Sequence, residues 1–229
     1  MPIFSTTMTS LERKLGLCYI LISQLLLPPM LSLLLPLFSP GIRELSINVT
    51  YFCINFLAAA IVFHKYLFRS LRDLEKIGSR LFAYVLAGFF LAEALTIYLS
   101  TILHQIFPQF ANINNAQVAW LVEQNLPLMC VCTVILVPVV EELLYRGVIF
   151  GSLADRSKVL AYAASISIFS LIHVMSYIGR YNALTLLLAF AQYIPSGFFL
   201  CWAYHKSGSI FAPILIHAFI NAGSIFAMR

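Results

Sequence analysis

Apolar residues run almost unbroken for about twenty positions at a time, and they do so seven times along the chain. A bilayer core about 30 Å thick needs roughly that length of helix. The runs are Leu15–Phe38, Ile47–Phe63, Leu81–Phe107, Leu126–Phe150, Val159–Ile178, Ala183–Tyr204 and Ser209–Met228. Polar, Pro-containing or charged segments separate them. The pattern predicts an all-α, polytopic membrane bundle of about seven transmembrane helices. The first run holds Pro28, Pro29 and Pro36, so a kink or an early end is expected there. It follows Arg13-Lys14 as a signal peptide would, but it is too long for a signal h-region and lacks a small-x-small cleavage site.

Composition agrees. Hydrophobic residues make up 61% of the 229 residues and charged ones 10%, where a soluble domain carries about 45–50% and about 25%. This excludes a soluble enzyme, a disordered chain and a disulfide-stapled secreted domain. No basic patch is interleaved with stacking aromatics, so nucleic acid is not an expected partner. Cys18, Cys53, Cys130, Cys132 and Cys201 all lie inside apolar runs and read as small buried hydrophobes.

Charge sets orientation. With the N-terminus in the cytoplasm, the inner segments hold Arg13, Lys14, Lys65, Arg69, Arg72, Lys76, Arg80, Arg146, Arg156, Lys158 and Lys206. The outer segments hold only Arg43, Arg180 and Arg229. Eleven against three is a positive-inside bias, and it survives omission of the intramembrane Arg146. The expected topology is N-in, C-out. Residues 65–80 carry Leu67, Leu71, Leu74 and Ile77 at helical spacing. They read as an amphipathic helix on the cytoplasmic surface or as an extension of the flanking spans. Pro108–Asn125, with Asn112, Asn114 and Asn115, reads as an outer loop.

A charge in mid-membrane costs at least about 2.5–3.5 kcal/mol, so polar residues placed there mark function. They are Glu93, Glu141, Glu142, Arg146, His173, His217 and Asn221. Arg146 falls four residues after Glu142 and can grip its carboxylate with two donors. Glu141 points about 100° away and stays free. His217 and Asn221, also four apart, share one helix face. At 1.5 Å per residue, Glu141 sits roughly 14–18 Å above the inner end of its span, His173 about 21 Å, His217 about 12 Å and Asn221 about 18 Å. The depths overlap. Such a group suits base activation of water beside oxyanion donors, and Glu141, His173 and His217 are also a plausible zinc set. Glu93 lies at the same depth, either lining a cavity or bonded to Asn55.

Glu141-Glu142-Leu-Leu-Tyr-Arg146, Phe169-x-x-x-His173 and His217-x-x-x-Asn221 resemble the three motifs of the CAAX protease and bacteriocin-processing family of intramembrane endopeptidases. The resemblance covers about residues 126–228. It implies a catalytic four-helix core at 126–229; the three N-terminal spans within 1–125, carrying the 65–80 segment, form a separate part that the resemblance does not reach. It implies that Glu141 activates water with His173 assisting. His217 and Asn221 would steady the oxyanion, and Glu142 with Arg146 would brace the motif helix. The family is often labelled metal-dependent. Asn is a poor zinc ligand and a good oxyanion donor, so the favoured expectation is catalysis without a cofactor. The implied substrate is a membrane-bound peptide or lipidated protein. The expected setting is a prokaryotic plasma membrane, in peptide maturation, secretion or bacteriocin immunity. A CAAX-type prenyl-protein endopeptidase, a non-catalytic scaffold and a proton-coupled transporter are the rival readings.

Overall fold

In a computed structural model, residues 6–228 are described. Eight helices account for most of them. Helix α1 (Ser10–Ser32) is capped by Thr9, whose side chain takes the Glu12 N–H while Glu12 returns a bond to the Thr9 N–H. Glu12 also receives the Arg69 guanidinium from α2, and the Arg69 Nε donates to the Thr7 carbonyl. The turns of α1 widen to i→i+5 spacing over Ile22–Leu26, just ahead of Pro28-Pro29. A proline has no N–H and its ring crowds the preceding carbonyl, so the helix relaxes upstream instead of breaking. The kink expected from the prolines therefore appears as a widened turn, and the helix stops before Pro36.

Helix α2 (Arg43–Ile77) is continuous for 35 residues, about 52 Å at the standard rise. That exceeds the bilayer core. Residues 65–77 thus extend the second span past the inner surface, and the chain has no separate surface helix over this stretch. Gly78 ends α2 with φ of +55°, a backbone region that other residues avoid, and α3 (Ser79–Ile106) starts at the next residue.

The outer stretch corrects an expectation. Residues 113–124 form a helix, α4 (Ile113–Gln124), where a loop was expected. Asn112 is its N-cap, its side-chain oxygen accepting from the N–H groups of Asn114 and Asn115. The cluster of asparagines that looked like loop composition is cap chemistry.

Helix α5 (Leu126–Leu153) carries the paired glutamates, α6 (Lys158–Met175) carries His173, and α8 (Phe211–Ala227) carries His217 and Asn221. Helix α7 (Ala183–Ser207) bends at Tyr193, ahead of Pro195. Six of these helices are long and apolar enough to cross a membrane, and α8 is a shorter apolar helix of 17 residues. The chain is a multi-pass integral membrane protein built as a helical bundle.

The bundle is unevenly filled. In the second span 11% of the most apolar window is buried within the protein; in α5 the figure is 50%. Many Leu, Ile and Phe side chains of α1–α3 point outward, as lipid permits and water would not. The shared core lies toward the inner end, where Phe63, Tyr66, Leu143, Tyr145, Phe150 and Tyr204 are buried together. At Gly16 the packing is tightest: a Cβ there would stand 2.3 Å from Cγ2 of Val148, so only glycine lets α1 approach α5 this closely. Among the described residues all five cysteines are free. Cys132 and Cys201 are buried as expected, whereas Cys18 and Cys53 face the outside of the bundle.

Candidate active site

The site begins with Pro138. The turns of α5 widen over Val131–Leu136, upstream of this proline, as they do in α1, and widen again over Leu143–Phe150. Glu141 and Glu142 occupy the α-helical stretch between the two widened ones. Adjacent helical residues point about 100° apart, and here the two directions lead to different surroundings.

Glu142 is fully buried. Its Oε1 accepts two hydrogen bonds at 2.8 Å, one from Arg146 Nη1 and one from His217 Nδ1. The Arg146 guanidinium is also fully buried. It donates from Nη2 to the Gly197 carbonyl at 3.3 Å and lies 4.4 Å from the centre of the Phe169 ring. The ion pair is thus held by one donor, where the spacing suggested a two-donor grip. The second oxygen of Glu142 has no hydrogen-bond partner. Helix α8 supplies the other bond instead, so one carboxylate links α5 to α8, and Arg146 extends the link to α7 through the Gly197 carbonyl.

Glu141 faces a cavity of about 650 Å³ that is also lined by His173, His217, Asn221 and Glu93. Its Oε2 lies 3.9 Å from His173 Nε2, beyond direct hydrogen bonding and close enough for both to hold one water. His173 Nδ1 sits 2.7 Å from the Phe169 carbonyl. A carbonyl only accepts, so Nδ1 carries the hydrogen, and in the neutral ring Nε2 presents its lone pair toward Glu141. One face of the His173 ring stacks on Tyr193, with centroids 4.2 Å apart and planes 29° apart.

His217 and Asn221 reach the cavity from α8 but are tethered separately. His217 is bonded to Glu142, which leaves Nε2 as its remaining polar atom. Asn221 Nδ2 donates to the Thr133 carbonyl at 2.7 Å, at the widened turn of α5, and keeps a second N–H. Glu93 makes no hydrogen bond or ion pair with another described residue. Asn55 is occupied elsewhere, by the Tyr19 hydroxyl and the Tyr51 carbonyl, so it is not the partner of Glu93.

Tyr193 carried no signal strong enough to single out in the sequence. Its hydroxyl accepts from Asn114 Nδ2 at 3.0 Å and donates toward Asn112 Oδ1 at 3.3 Å. Asn112 Nδ2 donates to Gln192 at 2.7 Å, and Gln192 donates to Ser100 at 3.2 Å. The outer helix α4 is therefore tied to α3 and α7, and through Tyr193 it bears on His173. The signals present in the chain were the asparagine cluster and the Gln192-Tyr193-x-Pro195 bend.

Among the described residues, no three His, Cys, Asp or Glu side chains converge as a metal-binding group. The set Glu141, His173 and His217 shares a cavity without that convergence.

Comparison with known proteins adds to the geometry. The model of the family described as "Type II CAAX prenyl endopeptidase Rce1-like" matches residues 123–223. The chain is 29% identical over 141 residues to "Putative membrane peptidase YdiL" of Bacillus subtilis (strain 168), an alignment covering 60% of this chain and 52% of that protein. The chain thus spans about half the length of the curated relative it matches. No solved structure matches it. The matched residues include every side chain that the three motifs bring to the cavity, and over residues 123–223 this membrane protein is similar to the CAAX prenyl endopeptidase family.

Proposed function

We propose that this chain is an intramembrane endopeptidase that hydrolyses a peptide bond by water activated at Glu141. The observation that carries the reading is the division of labour between neighbouring carboxylates. Glu142 is committed to Arg146 and His217, while Glu141 faces the cavity across a 3.9 Å gap from His173 Nε2.

A water bridging that gap gives one proton to the Glu141 carboxylate, and the oxygen adds to the scissile carbonyl. The carbonyl π electrons move to oxygen and form a tetrahedral oxyanion. The second N–H of Asn221 donates to it, joined by the His217 ring where Nε2 carries a hydrogen. On collapse the C–N bond breaks, and the proton held by Glu141 passes to the leaving amine. Water has then been divided between a new acid and a new amine, with Glu141 restored. Glu93 stands free in the same cavity and suits a cationic group of the substrate.

On this reading no metal takes part. Asn221 is a donor where a zinc site wants a lone pair, and Glu141, His173 and His217 do not converge. Pure active protein should keep full cleavage after exhaustive chelation; loss of activity restored by zinc would overturn the metal-free reading. The substrate class is a membrane-held peptide or lipidated protein, and the expected role is peptide maturation, secretion or bacteriocin immunity in a prokaryote. Comparative peptidomics of cells carrying the natural chain or Glu141→Gln tests the activity. Identical peptide sets, with the variant inserted and folded, would remove it.

A further inference from the structure

We infer that the cavity opens to the non-cytoplasmic face of the membrane, so that its substrate is a peptide segment presented at the outer surface; the opening stands on geometry, and the substrate class rests on the endopeptidase reading. Two independent observations carry this.

The first is where the cavity runs. From Glu141 it extends along Leu31, Asn48, Asn115, Ser176 and Met228. Each lies near the same end of the bundle: the end of α1, the start of α2, the start of α4, and the residues that cap α6 and α8. In the opposite direction the bundle is closed. All eight residues of Leu143–Phe150 are buried. Beneath them the hydroxyls of Tyr66 and Tyr204 meet at 3.0 Å, and Tyr204 donates to Thr6 at 3.1 Å. Met8 packs on Gly147, its Cε 2.7 Å from where a Cβ would stand. The N-terminal segment and these rings form a packed plug.

The second is charge. With the fully buried Arg146 set aside, ten of the Lys and Arg residues of the sequence lie at the plugged end. The cavity end has Arg43 and Arg180 among the described residues. Their connectivity places them together: Arg13 approaches Asp155 at 4.0 Å, and Arg69 pairs with Glu12. Lys and Arg stay on the cytoplasmic side during insertion, so the plug faces the cytoplasm and the cavity faces away from it. A prenylated C-terminus waiting at the cytoplasmic leaflet would meet the plug. A peptide that has crossed the membrane, or an outward-facing juxtamembrane segment, would meet the opening.

The test uses the full chain and a sulfonated, membrane-impermeant maleimide. Asn115→Cys and Ser176→Cys report on the cavity rim, Lys76→Cys on the plugged end, and the natural chain serves as the blank. The rim cysteines should be labelled in right-side-out vesicles and lose that labelling in inverted ones, with Lys76→Cys showing the reverse. Rim labelling only in inverted vesicles, rim and Lys76→Cys labelling from the same side, or rim labelling only in detergent would each overturn the inference. Two rim positions guard against one variant failing to fold. If labelling is as expected but the detergent-solubilised chain cleaves no peptide across a broad panel, the endopeptidase reading fails and the side of opening stands. Cleavage with reversed labelling does the opposite.

Discussion

Helix α5 passes through two environments, and Glu141-Glu142 is the boundary between them. Outward of the pair, the bundle holds a cavity of about 650 Å³ lined by polar side chains from the seven other helices. Inward of it, eight consecutive residues of the same helix are buried, with Arg146 among them. The outer half sets Glu141, Glu93 and His173 against open space; the inner half packs tightly, even around polar atoms that lack a partner, such as Glu142 Oε2, Tyr145 Oη and Arg146 Nε. The difference teaches how a membrane protein reconciles reactivity with stability. On the proposed reading, groups that meet water and substrate keep spare valence, and the rigidity that aims them comes from the packed half next door.

Variants can break this comparison from either side. The largest expected effect is Glu141→Gln. Removing the base should cost about 10²–10⁴-fold or more in cleavage rate. Its melting temperature in detergent should stay near that of the natural chain, because Glu141 makes no short hydrogen bond in the fold. A Glu141→Gln protein that melts much earlier would mean that the outer half is structural after all.

Arg146→Ala strikes the inner half. It strands a fully buried carboxylate, a change that destabilises by about 3–5 kcal/mol. Both melting temperature and activity should fall, and Glu142→Gln combined with Arg146→Ala should recover part of the stability. An unchanged melting curve for Arg146→Ala would end the account of Glu142 as anchor.

Tyr193→Ala sharpens the picture of the outer half. Without the stacked ring, His173 loses the support of one face, and kcat should fall by about tenfold with KM little changed. Tyr193→Phe keeps the stack and should recover most of the rate. A loss confined to KM would mean that Tyr193 touches substrate and does not position His173. The smallest effect is expected from Glu93→Gln. It should leave melting unchanged and lower cleavage by several-fold, selectively for peptides with a basic residue near the bond, as about 1 kcal/mol from one partly screened charge pair implies. Equal effects on neutral and basic peptides would remove Glu93 from substrate recognition.

How far the sequence reached can be read residue by residue. The spans emerged from length and hydropathy because a lipid solvent penalises every exposed polar group. The separation of Glu141 from Glu142 emerged from helix geometry, and the pairing of Glu142 with Arg146 from i,i+4 spacing. The third member of that pairing did not emerge. His217 lies 75 residues away, and nothing in its own motif says which of two adjacent glutamates it will meet. The helix over 113–124 was missed because its composition is polar and its asparagines are as common in turns as at N-caps. Tyr193 was missed because a tyrosine in an apolar span is ordinary; its importance comes from three helices converging on it.

By itself the sequence determined that the chain lives in lipid, roughly where its spans lie, which side carries positive charge, and which few costly polar groups lie within the spans. These follow from local quantities: hydropathy over twenty residues, charge per loop, and the angle between neighbours on a helix. Only the tertiary structure decided that His217 clasps Glu142, that Tyr193 backs His173, and that the cavity runs toward the cation-poor end. Those depend on which helix faces touch, and contact between distant segments is set by packing of the whole bundle, which no local window of sequence contains.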